Sequence, residues 1–399
     1  MIYMQKNTIG SFSKMKSTNT QLILNKIHQH GSASRVQIAK ETGLTAATVT
    51  NLTGELISRG IIVEAEAGAS SGGRKPIMLK LNTADYGICS VYISPDYVEL
   101  AVTDFEANFV YYNSVPAASQ ADPGAAVKII ADEYRKAVQH TERRVVAVGV
   151  GLHGIVDHDS GTSVFAPNLE WKNVPVVQLL RQHIDVPVFA DNDVKLMAKG
   201  EMWYGAARGV SDFVYLYVGD GIGGAIVIDG RVYRGTGNGS GEIGHCTVDG
   251  SGEICSCGNR GCLQTKASKR AMMSAVRKLS GDSLWSSRIA DCDSLAAACL
   301  EGNPVAVAVM NDEAKYLAIG VTTLINLFNP KLVVVDSDIK DFDKAVMDSL
   351  KKEVAARKMK FFDNICDIEY SHLTESAVIK GATAMVLNYV FEQPTKYIK

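Results

Sequence analysis

Between His245 and Cys262 the chain sets three thiols and one imidazole at the spacing of metal ligands. The acidic Glu242 stands beside them, in the run GEIGHCTVDGSGEICSCGNRGCLQ that covers residues 241–264. A single residue separates Cys255 from Cys257. Cys262 follows Gly258 and Gly261, whose freedom at positive φ permits the tight turns that bring closely spaced thiolates to one ion. With His245 as fourth ligand the set is Cys3His, the composition of a closed, structural, tetrahedral zinc site, so zinc is the expected cofactor. The plainer alternative is a glycine-rich loop carrying reduced thiols. The other cysteines, Cys89, Cys246, Cys292, Cys299 and Cys366, are scattered and mostly in apolar surroundings. They read as buried thiols of a reduced, intracellular protein and not as a disulfide framework.

Further polar chemistry lies at the ends of β-like runs. From Tyr86 onward apolar stretches alternate with amphipathic ones, which indicates an α/β architecture. Strands are expected over 145–150, 188–190, 213–218, 225–228 and 332–335, and helices over 124–140, 194–203 and 312–328. Ligands bind such sheets where loops converge at strand ends. Three loops there are polar: residues 149–157, Asp191-Asn-Asp193 and residues 237–245. Asn192-Asp193 also fits an Asx turn that caps a helix at Val194.

The N-terminal segment carries a different chemistry. Between Thr18 and Ile62 apolar residues fall at helical spacing in three blocks. Leu22, Ile23 and Ile27 mark the first, closed by Gly31. Val36, Ile38 and Ala39 mark a short second helix, opened by Ser34 as N-cap and ended by Gly43. Thr45 caps a third helix, in which Val49, Leu52, Leu56 and Ile57 form the inward stripe. Its outward face is expected to carry Ala46, Ala47, Thr48, Thr50, Asn51 and Thr53. That small, uncharged, polar face suits a major groove, where Thr methyls meet thymine methyls and Asn pairs with adenine. A strand at Ile61, Ile62 and Val63 and another at Met78, Leu79 and Leu81 flank residues 69–76, ASSGGRKP. They read as a wing whose Arg74 and Lys75 reach phosphates or a narrow minor groove. Thr45, Ala46, Ala47, Thr48, Thr50, Asn51, Arg74 and Lys75 are thus the candidate DNA contacts. The alternative is an ordinary three-helix subdomain.

A chain of 399 residues exceeds one ordinary core, so two or three domains are expected. The expected division is a tail over 1–17, a winged helix-turn-helix over 18–82, a small α/β lobe over 83–190 completed by 380–399, and a large lobe over 191–379 with the metal. No apolar run is long enough to span a bilayer, and the N-terminus lacks the pattern of a signal peptide, so a cytoplasmic location is expected. Residues 1–80 hold ten Lys/Arg against four acidic residues, and the remainder holds 31 against 39. A basic head on an acidic body implies that only the head meets a polyanion, double-stranded DNA.

The winged helix together with Gly149-Val-Gly-Leu-His-Gly-Ile-Val-Asp157, Ala166-Pro-Asn-Leu-Glu-Trp171, Asn192-Asp193, Gly221-Ile-Gly-Gly224 and the metal segment resembles the ROK family of sugar-responsive repressors, open reading frames and sugar kinases. The resemblance covers nearly the whole chain from about Thr18. It implies a ribonuclease-H-like, actin-like body of two lobes with a sugar in the cleft, and a homodimer or dimer of dimers that offers two winged helices to a palindromic operator. The family's sugar contacts fall on Asn192, Asp193, Glu242 and His245, which would hold both zinc and a sugar hydroxyl. A further sugar ligand, normally Glu, falls on Gln264.

The resemblance separates two functions. Kinases of the family carry Asp-x-Gly-Gly-Thr after the first strand of the body, where this chain has Val91-Tyr-Ile-Ser-Pro-Asp96, and Pro95 offers no amide. The second phosphate loop keeps its glycines but places Asp220 where the kinases have Thr. A third departure follows the strand 332–335, where the kinases carry a Gly-Gly that admits adenosine and this chain has Asp336-Ser337. Phosphoryl transfer depends on backbone amides close around the phosphates. The expected function is therefore a sugar-responsive regulator, most simply a repressor, of carbohydrate uptake or catabolism genes, with Asp193 holding sugar and no catalytic residue. The alternative is an ATP-dependent sugar kinase with an appended DNA-binding domain.

Overall fold

The structure is a computed structural model that describes residues 12–65, 75–117, 122–280, 289–362, 365–373 and 376–398. The chain forms two compact units. One runs to Asn192 and takes in the chain again from Ala382, and the other spans Asp193–Gly381.

The first unit begins with the winged helix: α1 (Phe12–His30), β1 (Ala33–Ser34), α2 (Arg35–Thr42), α3 (Ala46–Ser58), β2 (Ile62–Ala65) and β3 (Met78–Leu81). Helix α1 starts inside the expected tail. Its first turns carry exposed Lys14, Met15 and Lys16, so no apolar period marks them. The Lys16–Glu55 ion pair at 2.7 Å ties that end to α3. Local chemistry sets the other boundaries. The Ser34 hydroxyl accepts from Gln37 N–H, Gly43 leaves α2 at φ 71°, and the Thr45 hydroxyl accepts from Thr48 N–H. Ile23, Leu24, Ile27, Ile38, Val49, Leu56, Ile62 and Leu79 form its core. Strand β3 pairs with β2 and β1 on its two sides.

The same unit continues with β4 (Tyr86–Ile93), β5 (Tyr97–Thr103), β6 (Phe109–Pro116), α4 (Pro123–His140), β7 (Arg144–Leu152), β8 (Ile155–Asp157), β9 (Thr162–Ala166), β10 (Trp171–Val174), α5 (Val176–Leu180) and β11 (Val188–Asn192). Its main sheet has the order β11-β7-β4-β5-β6, with β4, β5 and β6 antiparallel and β7 and β11 parallel to β4. All of β7 after Arg144 is buried, which accounts for its unbroken apolar run.

The second unit holds α6 (Asp193–Tyr204), β12 (Phe213–Val218), β13 (Ile222–Ile228), β14 (Arg231–Tyr233), α7 (Gln264–Ala267), α8 (Lys269–Ser280), α9 (Cys292–Leu300), α10 (Pro304–Phe328), β15 (Leu332–Ser337), α11 (Phe342–Arg357) and β16 (Asp367–Tyr370). Its sheet repeats the pattern of the first: order β14-β13-β12-β15-β16, an antiparallel meander followed by two strands parallel to its first. Two such sheets are the duplicated ribonuclease-H-like arrangement. Helix α12 (Ala377–Glu392) starts in the second unit and passes into the first, where α13 (Pro394–Tyr397) follows. In the first unit α12 meets the head: Gln21 bonds Asn388 at 3.2 Å, and the His28 ring lies edge-on to Phe391. Among the described residues no helix is long and apolar enough to cross a membrane.

Candidate functional site

The His/Cys cluster forms because glycine lets backbones touch. Gly244 lies so close to β13 that a Cβ there would stand 2.1 Å from the Ile222 carbonyl oxygen, and this contact fixes the 3₁₀ turn Ile243–His245. Gly261, at φ 68°, would bring a Cβ within 1.6 Å of the Asp249 oxygen. Only glycine fits either position. The result gathers His245, Cys255, Cys257 and Cys262, with ligand atoms all within 4.8 Å of one another. The Cys255 Sγ to His245 Nδ1 distance is 3.6 Å and Cys257 Sγ to Cys262 Sγ is 3.7 Å. A tetrahedral ion with ordinary Zn–S and Zn–N bonds sets such edges at about 3.6 and 3.8 Å, so the four residues fit a metal. The sulfurs stand too far apart for a disulfide. Cys246 is exposed and outside the cluster. Burial opposes ionisation of Cys255, but N–H donation at Cys257 and the His245 ring hold its thiol below the ordinary value, toward the thiolate that metals bind.

The same turn presents Glu242 next to the cluster. Although Glu242 as a residue is exposed, loss of surrounding water raises its carboxyl above the ordinary value, Asp193 adds like charge, and His245 and Lys195 oppose the shift. These four groups therefore share one electrostatic neighbourhood. Asp193, 3% exposed, is the first residue of α6, and its carboxylate accepts from Val194 N–H. Because His245 faces Cys255 through Nδ1, its Nε2 lies on the opposite ring edge. Lys195 escaped the sequence reading. It is buried, its ammonium donates to the Asn238 carbonyl, and it braces the loop that leads to Glu242. The available signal was a lysine within the wholly buried run 193–198.

Asn192 closes β11 in the first unit. Its side-chain amide donates to the Gly154 carbonyl at 2.9 Å, which joins two of the polar loops anticipated from sequence. Gln264 lies at the start of α7, beside the cluster. Its amide nitrogen is turned to the cluster, 3.2 Å from Cys255 Sγ and 3.4 Å from Ser256 Oγ.

In the head, Thr45, Ala46, Ala47, Thr50 and Asn51 are exposed on one face and Thr48 is half-buried. Thr53 does not join them. It is fully buried, donates to the Val49 carbonyl, and accepts from Arg35 Nε at 3.1 Å, while Arg35 also reaches Glu64. A hydroxyl that can bond its own helix is as much at home inside as outside, so threonine marks no face by itself. Lys75 is exposed, and Arg74 lies outside the described residues.

Residues 88–389 match the ROK family and residues 16–63 match a winged helix-turn-helix DNA-binding family. This chain belongs to the ROK family. It is similar to the xylose repressor of Caldicellulosiruptor bescii, with 33% identity across 97% of this chain and 99% of that protein. It is also similar to the Escherichia coli K12 DNA-binding transcriptional dual regulator NagC, with 30% identity across 95% of this chain and 94% of that one. A crystal structure of a ROK family transcriptional regulator, a homologue of the E. coli Mlc protein, superposes with TM-score 0.84 at 26% identity, over 96% of this chain and 99% of that one. A ROK family glucokinase from Streptomyces griseus, solved with glucose and AMPPNP, superposes with TM-score 0.64 at 26% identity, over 98% of its own length but 75% of this chain.

The three loops in which the family resemblance implies departures from the kinases have definite structures here. After β4 the Ser94 hydroxyl, buried, accepts from the N–H groups of Asp96 and Tyr97, and Ser94 N–H bonds the Tyr97 carbonyl. Those amides thus have internal partners. Between β12 and β13, Gly219 N–H bonds the Gly221 carbonyl and Asp220 is exposed. At the end of β15, Asp336 turns into the core and accepts the Tyr215 hydroxyl, while Ser337 Oγ donates to the Val218 carbonyl at 2.8 Å. Burial lifts Asp336 from 3.8 to about 6, with Glu201 adding like charge.

Proposed function

We propose that this ROK protein is a sugar-responsive transcriptional repressor of carbohydrate uptake or catabolism genes. The observation that carries the reading is the head: residues 16–63 match a winged helix-turn-helix DNA-binding family, and the chain aligns along 97% of its length with a xylose repressor but along 75% with the glucokinase. The exposed face of α3 enters a major groove, with Asn51 reading bases and Lys75, with Arg74, meeting phosphates. Two heads of a homodimer, or of a dimer of dimers, would fit a palindromic operator.

The effector is an unphosphorylated sugar held by Asn192, Asp193, Glu242 and His245. Carboxylates accept from adjacent hydroxyls, the amide both donates and accepts, and His245 Nε2 takes one hydroxyl. Zinc is the metal that suits His245, Cys255, Cys257 and Cys262. When bound it anchors the His245 ring, so that part of the pocket wall is set before the sugar arrives. Xylose and N-acetylglucosamine, after which relatives are named, are the first sugars to test.

The chain does not phosphorylate its sugar. Ser94 engages the amides of the first loop, Asp220 brings negative charge to the second, and Asp336 and Ser337 tie down the third. Melting curves of the protein with pentoses, hexoses, N-acetyl sugars, sugar phosphates and ATP-Mg test the assignment. A free sugar raises the midpoint and ATP-Mg does not; stabilisation by ATP-Mg together with a sugar would restore the kinase reading.

A further inference from the structure

Gln264 opens α7 two residues after the ligand Cys262, and its two polar atoms face different structures. Nε2 lies 3.2 Å from Cys255 Sγ and 3.4 Å from Ser256 Oγ. On the other side, Oε1 faces the β12–β13 turn so closely that a Cβ at Gly221 would lie 3.2 Å from it. A carboxamide nitrogen only donates, and a sulfur is an acceptor whose capacity grows as it becomes a thiolate. Three thiolates and a neutral imidazole leave a divalent ion with one net negative charge, and N–H donation to sulfur is the ordinary way a protein relieves such a charge.

We propose that Gln264 is a positioning residue for the metal, donating a hydrogen bond to the Cys255 thiolate from a side chain wedged between the cluster and the Gly219–Gly221 turn. The proposal rests on the metal reading of His245, Cys255, Cys257 and Cys262. It gives position 264 a role toward the ion that glutamate could not fill, because an ionised carboxylate only accepts and would set negative charge against sulfur. It also moves Gln264 out of the sugar contacts expected from the family resemblance: its donors are directed at Cys255 and Ser256, and its acceptor at a glycine turn.

The test uses the full-length protein and its variants Gln264→Glu, Gln264→Ala and Gln264→Asn. Zinc release to a chromophoric chelator is followed at neutral pH, and the thiolate-to-metal charge-transfer band is recorded after exchange with cobalt. Losing partners of this kind lowers metal affinity about 10–100-fold, so Gln264→Glu should release zinc faster than wild type by that order. Gln264→Ala should fall between, and the cobalt band should shift in both. The band reports electron density at sulfur, which a merely structural contact would leave unmoved. Gln264→Asn, too short to reach, should behave as Gln264→Ala. If Gln264→Glu fails to fold, the Gln264→Ala release rate and band decide alone. Wild-type release and an unshifted band in Gln264→Ala overturn the inference and leave the metal reading standing. Wild-type protein prepared without chelator and found to hold no metal overturns both.

Discussion

Replacing Asp336 by Asn isolates the acid that turns into the core at the end of β15. Asp336 is 7% exposed, and burial, with Glu201 adding like charge, holds its carboxyl at about 6 against an ordinary 3.8. The Tyr215 hydroxyl and Ser337 N–H offset only part of that rise. A carboxyl raised in the folded state contributes stability that is complete below its unfolded value and is lost as pH rises through its folded value. The window therefore runs from about pH 4 to pH 6. A rise from 3.8 to about 6 corresponds to at most about 3 kcal/mol. Asparagine keeps one oxygen to accept from Ser337 N–H and turns its NH2 to the Tyr215 hydroxyl, which then accepts where it had donated, and it has no charge to bury. Melting midpoints of both proteins, measured from about pH 4 to 8, should diverge in favour of Asp336→Asn across that window and run parallel above it. At about 2–4 °C per kcal/mol, the plateau should lie several degrees above wild type. A difference that is constant across the whole range would refute the reasoning.

Purified protein should hold about one zinc per chain. Cys257→Ser should lose the metal, melt lower and stop responding to sugar, while Cys246→Ser keeps all three properties; metal analysis and melting curves decide. Asn51→Ala should lower discrimination between operator variants by about 1–3 kcal/mol, whereas Lys75→Ala should weaken binding to every duplex and flatten its salt dependence, as read by titration with labelled fragments. No sugar that shifts the melting point should be phosphorylated. A base at Asp193 contributes only about 10²–10⁴-fold by itself, so turnover on the order of 1 per second that is lost in Asp193→Asn would contradict the repressor reading.

Sequence alone carried the features with strong local chemistry. The caps at Ser34 and Thr45 and the glycine at 43 marked the short helices, and unbroken apolar runs marked β7, β12 and β15, whose faces are both covered. The His/Cys cluster was legible because its four residues lie close in sequence and its glycines are demanded by backbone contact. Features that depend on distant partners were not legible. The start of α1 at Phe12 is held by Glu55 rather than by any apolar period. Thr53 points inward because Arg35 and the helix backbone satisfy its hydroxyl. Asp336 reads as a loop acid, yet it lies buried under Tyr215. The direction of Gln264 follows from Cys255, nine residues earlier in the chain and at no spacing that a helical or strand period displays.

Operator binding by full-length protein and by Glu242→Ala, each with and without the sugar that raises the wild-type melting point, tests the central claim most directly. The account predicts that sugar changes wild-type operator affinity by a coupling of roughly 1–3 kcal/mol, about 5–150-fold, and that Glu242→Ala binds the operator as wild type does but no longer responds. Operator binding that is indifferent to every sugar bound by the wild type, or a Glu242→Ala protein that responds with normal sugar affinity, would contradict it.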